Sequence, residues 1–286
     1  MKRFALIGHP IGHSLSPVLH NYLLKRLAVR GRYDLRDVEQ AQLASTLEEF
    51  KLSGLTGFNV TIPHKRNILP WLTCVCGPAA QIRAVNTVLI VHGELHGHNT
   101  DGIGFINSLE NKGIDVQGMS ALVFGAGGAA RASAHALLDR GLSELCIANR
   151  NRKRGVALVQ ELLEMAPQRR INVIEWNREK MAECAQHCQL VVNATPIGMW
   201  PEIEQSPFKL TFDAGGLIVC DLIYNPLRTK FLREAARQGA VTIDGLDMFI
   251  FQAIEALRIW LERDFEFDLT DLRNLLTVEL SVYEKS

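Results

Sequence analysis

The chain has 286 residues, with 31 basic and 31 acidic side chains and a mean hydropathy of +0.04. That length supports a large core and one or two domains. The even charge balance argues against nucleic acid or an anionic membrane as a partner. No apolar run approaches the ~20 residues of a membrane helix. The apolar stretch after Met1-Lys2-Arg3 is too short for a signal peptide and reads as a first strand, so a soluble cytoplasmic protein is expected. The cysteines, Cys74, Cys76, Cys146, Cys184, Cys188 and Cys220, form no C-x-x-C pair and read as reduced thiols. Cys184 and Cys188 flank His187 on one helix, yet no metal is expected.

In chain order, Phe4–Ile7 predicts a strand and His9–Pro17 a loop. Ser16 before Pro17 reads as a helix N-cap with a first-turn proline. Leu19, Tyr22, Leu23 and Leu27 keep helical spacing until Gly31. Tyr33–Val38 predicts a second strand, Leu43, Leu47 and Phe50 a second helix, and Gly57–Pro63 a strand closed by its proline. Val85–Val91 and Glu94–His98 form a hairpin pattern about His92-Gly93. A helix carrying Phe105, Ile106 and Leu109 follows Asn99-Thr100-Asp101-Gly102. From Ser120 the alternation restarts, with strands expected at Ala121–Phe124, Leu145–Ala148, Asn172–Glu175, Leu190–Asn193, Leu217–Asp221 and Val241–Ile243. Met248–Trp260 and Thr270–Leu280 are helical by spacing.

This pattern predicts an α/β protein with an N-terminal α/β domain over residues 1–101 and a doubly wound, Rossmann-type domain over 102–244. Helices over 245–286 are expected to return to the first domain.

Ala121–Phe124 enters Gly125-Ala126-Gly127-Gly128-Ala129-Ala130, which satisfies G-x-G-x-x-G/A in the required strand–turn–helix setting. Gly125 permits the sharp turn, Gly127 lets backbone approach a pyrophosphate, and Ala130 lets the helix pack closely on the strand. Free N–H groups at the helix start then face the phosphates. About twenty residues on, an NAD site places an acid against the ribose 2′-hydroxyl. Here Asn149-Arg150-Asn151-Arg152-Lys153-Arg154 carries four cations and no acid, so NADP is expected over NAD.

Polar residues also gather where strands end: Ser14 and Ser16, Asn59 and Thr61, Lys65, Asn86-Thr87, and Asn99-Thr100-Asp101. Together they suit a small hydroxylated acid in a crevice at the strand ends.

On His13-Ser14-Leu15-Ser16-Pro17, Asn59-Val60-Thr61-Ile62-Pro63-His64-Lys65, Ala84-Val85-Asn86-Thr87 and Asn99-Thr100-Asp101-Gly102, the chain resembles the shikimate dehydrogenase family. Gly125–Ala129, Asn149-Arg150, Asn193–Met199, Tyr224-Asn225-Pro226 and Asp244-Gly245 through Gln252 extend the resemblance over nearly its whole length. The resemblance implies reversible, NADPH-dependent reduction of 3-dehydroshikimate to shikimate. It implies Lys65 and Asp101 as the catalytic pair, and Ser14, Ser16, Thr61, Asn86, Tyr224 and Gln252 as substrate contacts. It implies Gly125, Ala126, Gly127, Gly128, Ala129, Asn149, Arg150, Asn151 and Arg154 as the cofactor cradle, with Leu222 and Gly245 beside the nicotinamide.

The chemistry agrees with these roles. Hydride addition to a ketone creates a negative oxygen, which needs a proton and a nearby positive charge; Lys65 carries both, and Asp101 aims it.

The chain departs from the family at Thr73-Cys74-Val75-Cys76-Gly77-Pro78, where an acidic segment is usual, at Asn151, where the family has Thr, and at His64, expected to pack rather than react. The alternatives are a quinate/shikimate dehydrogenase using NAD or NADP, and a ligand-sensing protein without turnover. A monomer or homodimer with a small-molecule substrate is expected.

Overall fold

The computed structural model describes residues 1–283. The chain divides into two units, residues 1–104 with 250 onward, and residues 105–249. The first unit runs β1 (Lys2–Gly8), α1 (Ser16–Arg26), β2 (Gly31–Asp37), α2 (Leu43–Leu52), β3 (Gly57–Val60), α3 (His64–Asn67), β4 (Cys74–Val75), α4 (Pro78–Ile82), β5 (Thr87–Val91) and β6 (Glu94–His98). α5 (Asp101–Glu110) then carries the chain into the second unit.

The first sheet has the order β2-β1-β3-β5-β6-β4. β1 pairs parallel with both β2 and β3, whereas β5 runs antiparallel to β3 and β6. Phe4–Ile7 is buried throughout, as a central strand covered on both faces must be. Ala5 and Ile7 pack with Leu47, Phe50, Phe58, Val60, Val85 and Val88 in one apolar cluster.

The second unit runs β7 (Ser120–Phe124), α6 (Gly128–Asp139), β8 (Glu144–Ala148), α7 (Arg152–Met165), β9 (Arg170–Ile174), α8 (Arg178–Gln186), β10 (Leu190–Asn193), β11 (Ile218–Asp221), α9 (Lys230–Arg237) and β12 (Val241–Ile243). Its six strands are all parallel in the order β12-β11-β10-β7-β8-β9. The strand order reverses between β7 and β10, which is where an open α/β sheet leaves its ligand crevice. Alternate residues of β7 divide between two cores. Ala121 and Val123 pack with Ala130, Ala134 and Leu137 of α6, while Leu122 and Phe124 pack with Met181, Phe208 and Phe231.

α10 (Leu246–Leu261) leads back to the first unit, which α11 (Leu269–Tyr283) completes. Trp260 is fully buried, stacks on Phe4 at 4.8 Å and donates its indole N–H to the Val88 carbonyl at 2.9 Å. Its ring fills the space where residue 57 would carry a side chain: a Cβ on Gly57 would fall 2.3 Å from the indole nitrogen. No helix among the described residues is long and apolar enough to cross a membrane.

Several local expectations shift. Ser16 is the first residue of α1 rather than its cap; Leu15 takes the cap position, and the Ser14 hydroxyl accepts from the Ser16 N–H at 3.2 Å. α1 stops at Arg26 rather than near Gly31, because Ala28 takes a left-handed φ of +53° and the N–H groups of Ala28 and Val29 close on the Lys25 and Leu24 carbonyls at 3.1 and 2.9 Å. β3 ends at Val60, so Thr61 lies beyond the strand in the turn that starts α3, with the His64 N–H bonded to the Thr61 carbonyl at 2.8 Å. α3, β4 and α4 are further short elements between β3 and β5.

Candidate active site

Lys65 stands in the first turn of α3 and Asp101 opens α5. The Lys65 Nζ donates to Asp101 Oδ2 at 2.5 Å, and the two side chains are 16% and 7% exposed. The fold pins both. The Val85 N–H donates to the Lys65 carbonyl at 2.8 Å, tying α3 to the approach to β5. The Asn99 side chain accepts from the Asp101 N–H at 3.0 Å and caps the start of α5.

Asn86 organises the carboxylate. Its Oδ1 accepts from the Thr100 backbone N–H at 2.7 Å, which fixes the amide so that Nδ2 points the other way. Nδ2 then donates to Asp101 Oδ1 at 2.9 Å and to Thr100 Oγ1 at 2.9 Å, with Gln252 Oε1 at 3.4 Å. Both Asp101 oxygens therefore accept, one from an ammonium and one from an amide. The carboxylate is firmly held, because both of its oxygens have donors in a buried setting.

Behind Asn86, Asn59 donates to the Asn86 carbonyl at 3.1 Å and to Thr87 Oγ1 at 3.0 Å, and accepts from the Tyr33 hydroxyl at 2.7 Å. Tyr33 stacks on the buried His20 ring at 4.2 Å. Burial pushes the His20 imidazole down to about 3, so it stays neutral. Neither Tyr33 nor His20 was expected at the site. Tyr33 opens the predicted second strand and His20 lies within the predicted first helix, and the hydrogen bond from Tyr33 to Asn59 spans 26 residues.

Ser14 donates to Ser16 Oγ at 3.1 Å, so the two hydroxyls stand together at the start of α1. Thr61 follows β3, and its methyl lies where a Cβ on Gly8 would sit at 2.4 Å; only glycine at position 8 lets these two chain segments meet. His64 is buried and its Nε2 lies 2.6 Å from the Val38 carbonyl, a packing role. Tyr224 belongs to the second unit, where it stacks on Phe249 at 4.4 Å.

In the second unit the glycine turn has the geometry a pyrophosphate needs. Gly125 has φ +115°, and a Cβ there would meet the Ala194 carbonyl oxygen at 2.9 Å. Gly127 caps α6, and a Cβ there would meet nothing within 4 Å, so open space faces the helix start. Ala126, Gly128 and Ala129 complete the turn and the first helical residues, whose N–H groups suit an anion.

At the end of β8, Asn149 donates to the Asn151 carbonyl at 2.8 Å, and the Asn151 side chain accepts from the Arg154 N–H at 3.2 Å. Asn151 thus caps α7, the task a threonine oxygen would also perform. Arg150, Arg152, Lys153 and Arg154 are exposed, and no carboxylate pairs with them among the described residues. Four cations without acidic partners fit a phosphate monoester better than a ribose hydroxyl.

Leu222 and Gly245 meet backbone to backbone; a Cβ on Gly245 would lie 2.3 Å from the Leu222 carbonyl oxygen. Asp221, one residue earlier, is fully buried and accepts from Asn193 Nδ2, the Ile223 N–H and the Thr229 hydroxyl at 3.0, 3.2 and 2.7 Å. Burial pushes its carboxyl up to about 7 against the pull of those donors. Asn193 also accepts from the Thr195 N–H and hydroxyl. Asn193, Thr195, Asp221 and Thr229 brace the loops at the ends of β10 and β11, a role visible in sequence only as polar residues ending apolar runs.

Comparison with known proteins gives a consistent result. Residues 6–88 match the family described as shikimate dehydrogenase substrate binding domain, and residues 108–199 match shikimate / quinate 5-dehydrogenase. A shikimate dehydrogenase (NADP(+)) of Moorella thermoacetica is 42% identical over 91% of this chain and 88% of its own. A crystal structure of a shikimate dehydrogenase in complex with NADP+ superposes with a TM-score of 0.88 at 35% identity, covering 98% of this chain and 96% of that one. Another, the Thermus thermophilus shikimate 5-dehydrogenase with NADP(H) and shikimate, gives 0.83 at 37% identity over 96% and 98%.

Proposed function

The chain belongs to the shikimate dehydrogenase family, and from that premise we propose that it reduces 3-dehydroshikimate to shikimate with NADPH, reversibly. The observation that carries this reading is the half-enclosed ammonium of Lys65, held 2.5 Å from Asp101. Binding alone does not require a proton donor.

When bound, NADPH supplies a hydride to the ketone carbon of the substrate. Lys65 then meets the charge that grows on the ketone oxygen and gives it a proton. An ammonium has three N–H bonds. One is engaged by Asp101 Oδ2, which leaves the others for substrate oxygen. Asp101 holds the ammonium in place, and Asn86 holds Asp101 from its other oxygen. In the reverse direction the same amine receives the proton of the hydroxyl being oxidised.

Ser14 and Ser16 offer adjacent hydroxyls to the substrate carboxylate, and Thr61, Asn86, Tyr224 and Gln252 are assigned to the remaining carboxylate and ring oxygens. The glycine turn at Gly125–Ala129 would hold the pyrophosphate. Arg150 and Arg154, with Asn149 and Asn151 shaping their loop, would hold the 2′-phosphate. Leu222 and Gly245 would border the nicotinamide.

A nicotinamide absorbance assay crossing shikimate and quinate with NADP and NAD tests the proposal. Turnover confined to shikimate with NADP is expected. Preference for quinate or NAD, or no turnover with any pair, would overturn it.

A further inference from the structure

Where the family usually carries an acidic segment, this chain has Thr73-Cys74-Val75-Cys76-Gly77-Pro78, and the proposed reaction uses none of it. Cys74 and Val75 form β4, one of the two edge strands of the first sheet, paired with His96 and Gly97 of β6. The Cys76 N–H donates to the Gly97 carbonyl at 2.8 Å, so both cysteines are held by the same neighbour. Gly77 follows with φ +53° and turns the chain into α4. The Cys74 and Cys76 sulfurs lie 2.8 Å apart. Cys74 is exposed and Cys76 partly so.

We propose that Cys74 and Cys76 form a reversible dithiol–disulfide site that exchanges with small-molecule disulfides. A disulfide bond is about 2.05 Å long, so closure asks for a sulfur movement of under about 1 Å. Among the described residues no group of three His, Cys, Asp or Glu is placed to hold a metal ion, so thiol chemistry is what this pair offers.

The order of attack follows from exposure. Burial, with the neighbouring Cys74 thiol, pushes Cys76 up to about 11. Cys74 is therefore the entering nucleophile. Its thiolate attacks one sulfur of the incoming disulfide and displaces a thiolate, leaving a mixed disulfide on Cys74. Cys76 loses its proton to solvent and attacks the Cys74 sulfur, displacing the second thiolate. Two protein thiols are oxidised and one external disulfide becomes two thiols, so the electrons balance.

The site is independent of the proposed reduction, although the same segment leads through α4 into Asn86. Cys184 and Cys188 provide an internal comparison, being 4.0 Å apart and half-buried.

The test incubates the full chain with oxidised glutathione and maps cysteines by mass spectrometry without reductant. The expected product is one peptide that contains Cys74 and Cys76, has lost two hydrogens, and regains them with dithiothreitol. Cys76→Ser should stall with glutathione on Cys74, and Cys74→Ser should leave Cys76 largely unmodified. Cys74 lies on an edge strand and Cys76 directly after it, both outside the core, so these variants remain folded. A monosubstituted trivalent arsenical, which bridges two close sulfurs, should bind one equivalent fewer in either variant. Glutathione persisting on Cys74 of the unaltered chain, an unchanged peptide, or a bond from either cysteine to a different one would overturn the proposal.

Discussion

Asp101→Asn isolates the claim that Lys65 works because it is held. In the parent chain both carboxylate oxygens accept, from Lys65 Nζ at 2.5 Å and from Asn86 Nδ2 at 2.9 Å. An amide has one acceptor oxygen and one donor nitrogen. If the oxygen turns to Lys65, the new NH2 meets the NH2 of Asn86, which the Thr100 N–H prevents from flipping. If it turns to Asn86, the NH2 faces an ammonium. Either way one charge-assisted contact becomes a donor–donor clash in a setting only 7% exposed at Asp101. A hydrogen bond to a charged group is worth about 1.5–3 kcal/mol. If that orientation is needed only as the proton moves, kcat falls about 10- to 150-fold, at 1.4 kcal/mol per decade. The assay is steady-state oxidation of shikimate with NADP, with shikimate affinity measured separately by titration calorimetry. A kcat within about threefold of the parent, or a loss of affinity as large as the loss of kcat, would refute the reasoning, since each means the carboxylate does not aim the donor.

Lys65→Ala should lower turnover about 10²-fold or more while shikimate and NADP still bind, as loss of a general acid does; equal losses in binding and rate would mark the lysine as structural. Arg150→Ala should raise the Kd for NADP and barely alter that for NAD, read by fluorescence titration of each; equal effects would remove the 2′-phosphate assignment. His20 is neutral in the folded chain down to about 3, whereas an unfolded histidine takes up a proton below about 6.5. The unfolded state therefore binds more protons in that window, and the contribution of His20 to stability is complete above pH 6.5 and lost as pH falls toward 3. At pH 5 the loss from this group is about 2 kcal/mol. Urea unfolding at pH 7.5 and pH 5 should show that increment in the parent chain and lack it in His20→Leu.

The long elements were legible because burial imposes periodicity. The continuous apolar runs of β1, β7 and β10 and the spacing of α10 each mark a buried surface. Elements of two to five residues such as β4, α3 and α4 leave no period to read. The Ser16 N-cap expectation failed by one position because Ser14 supplies the oxygen that bonds the Ser16 N–H.

At the site, spacing identified polar residues at strand ends but could not join Lys65 to Asp101, 36 residues apart, without the family pattern. Tyr33 and His20 escaped altogether, since a buried aromatic ring and a buried neutral imidazole look like core in any sequence. The direction in which Asn86 presents its amide is decided by one backbone N–H, that of Thr100, and no residue type announces it.

The seating of Trp260 against Phe4, Gly57 and Val88 bears on how the molecule is made. The first unit draws its strands from the beginning of the chain and a keystone ring from near its end, whereas residues 105–249 contain all of the second unit. As the polypeptide leaves the ribosome, the dinucleotide-type sheet can finish while the earlier-made half still waits with a hollow beneath β3. A chain stopped at residue 249 should keep the six parallel strands yet leave the Lys65 half unfinished.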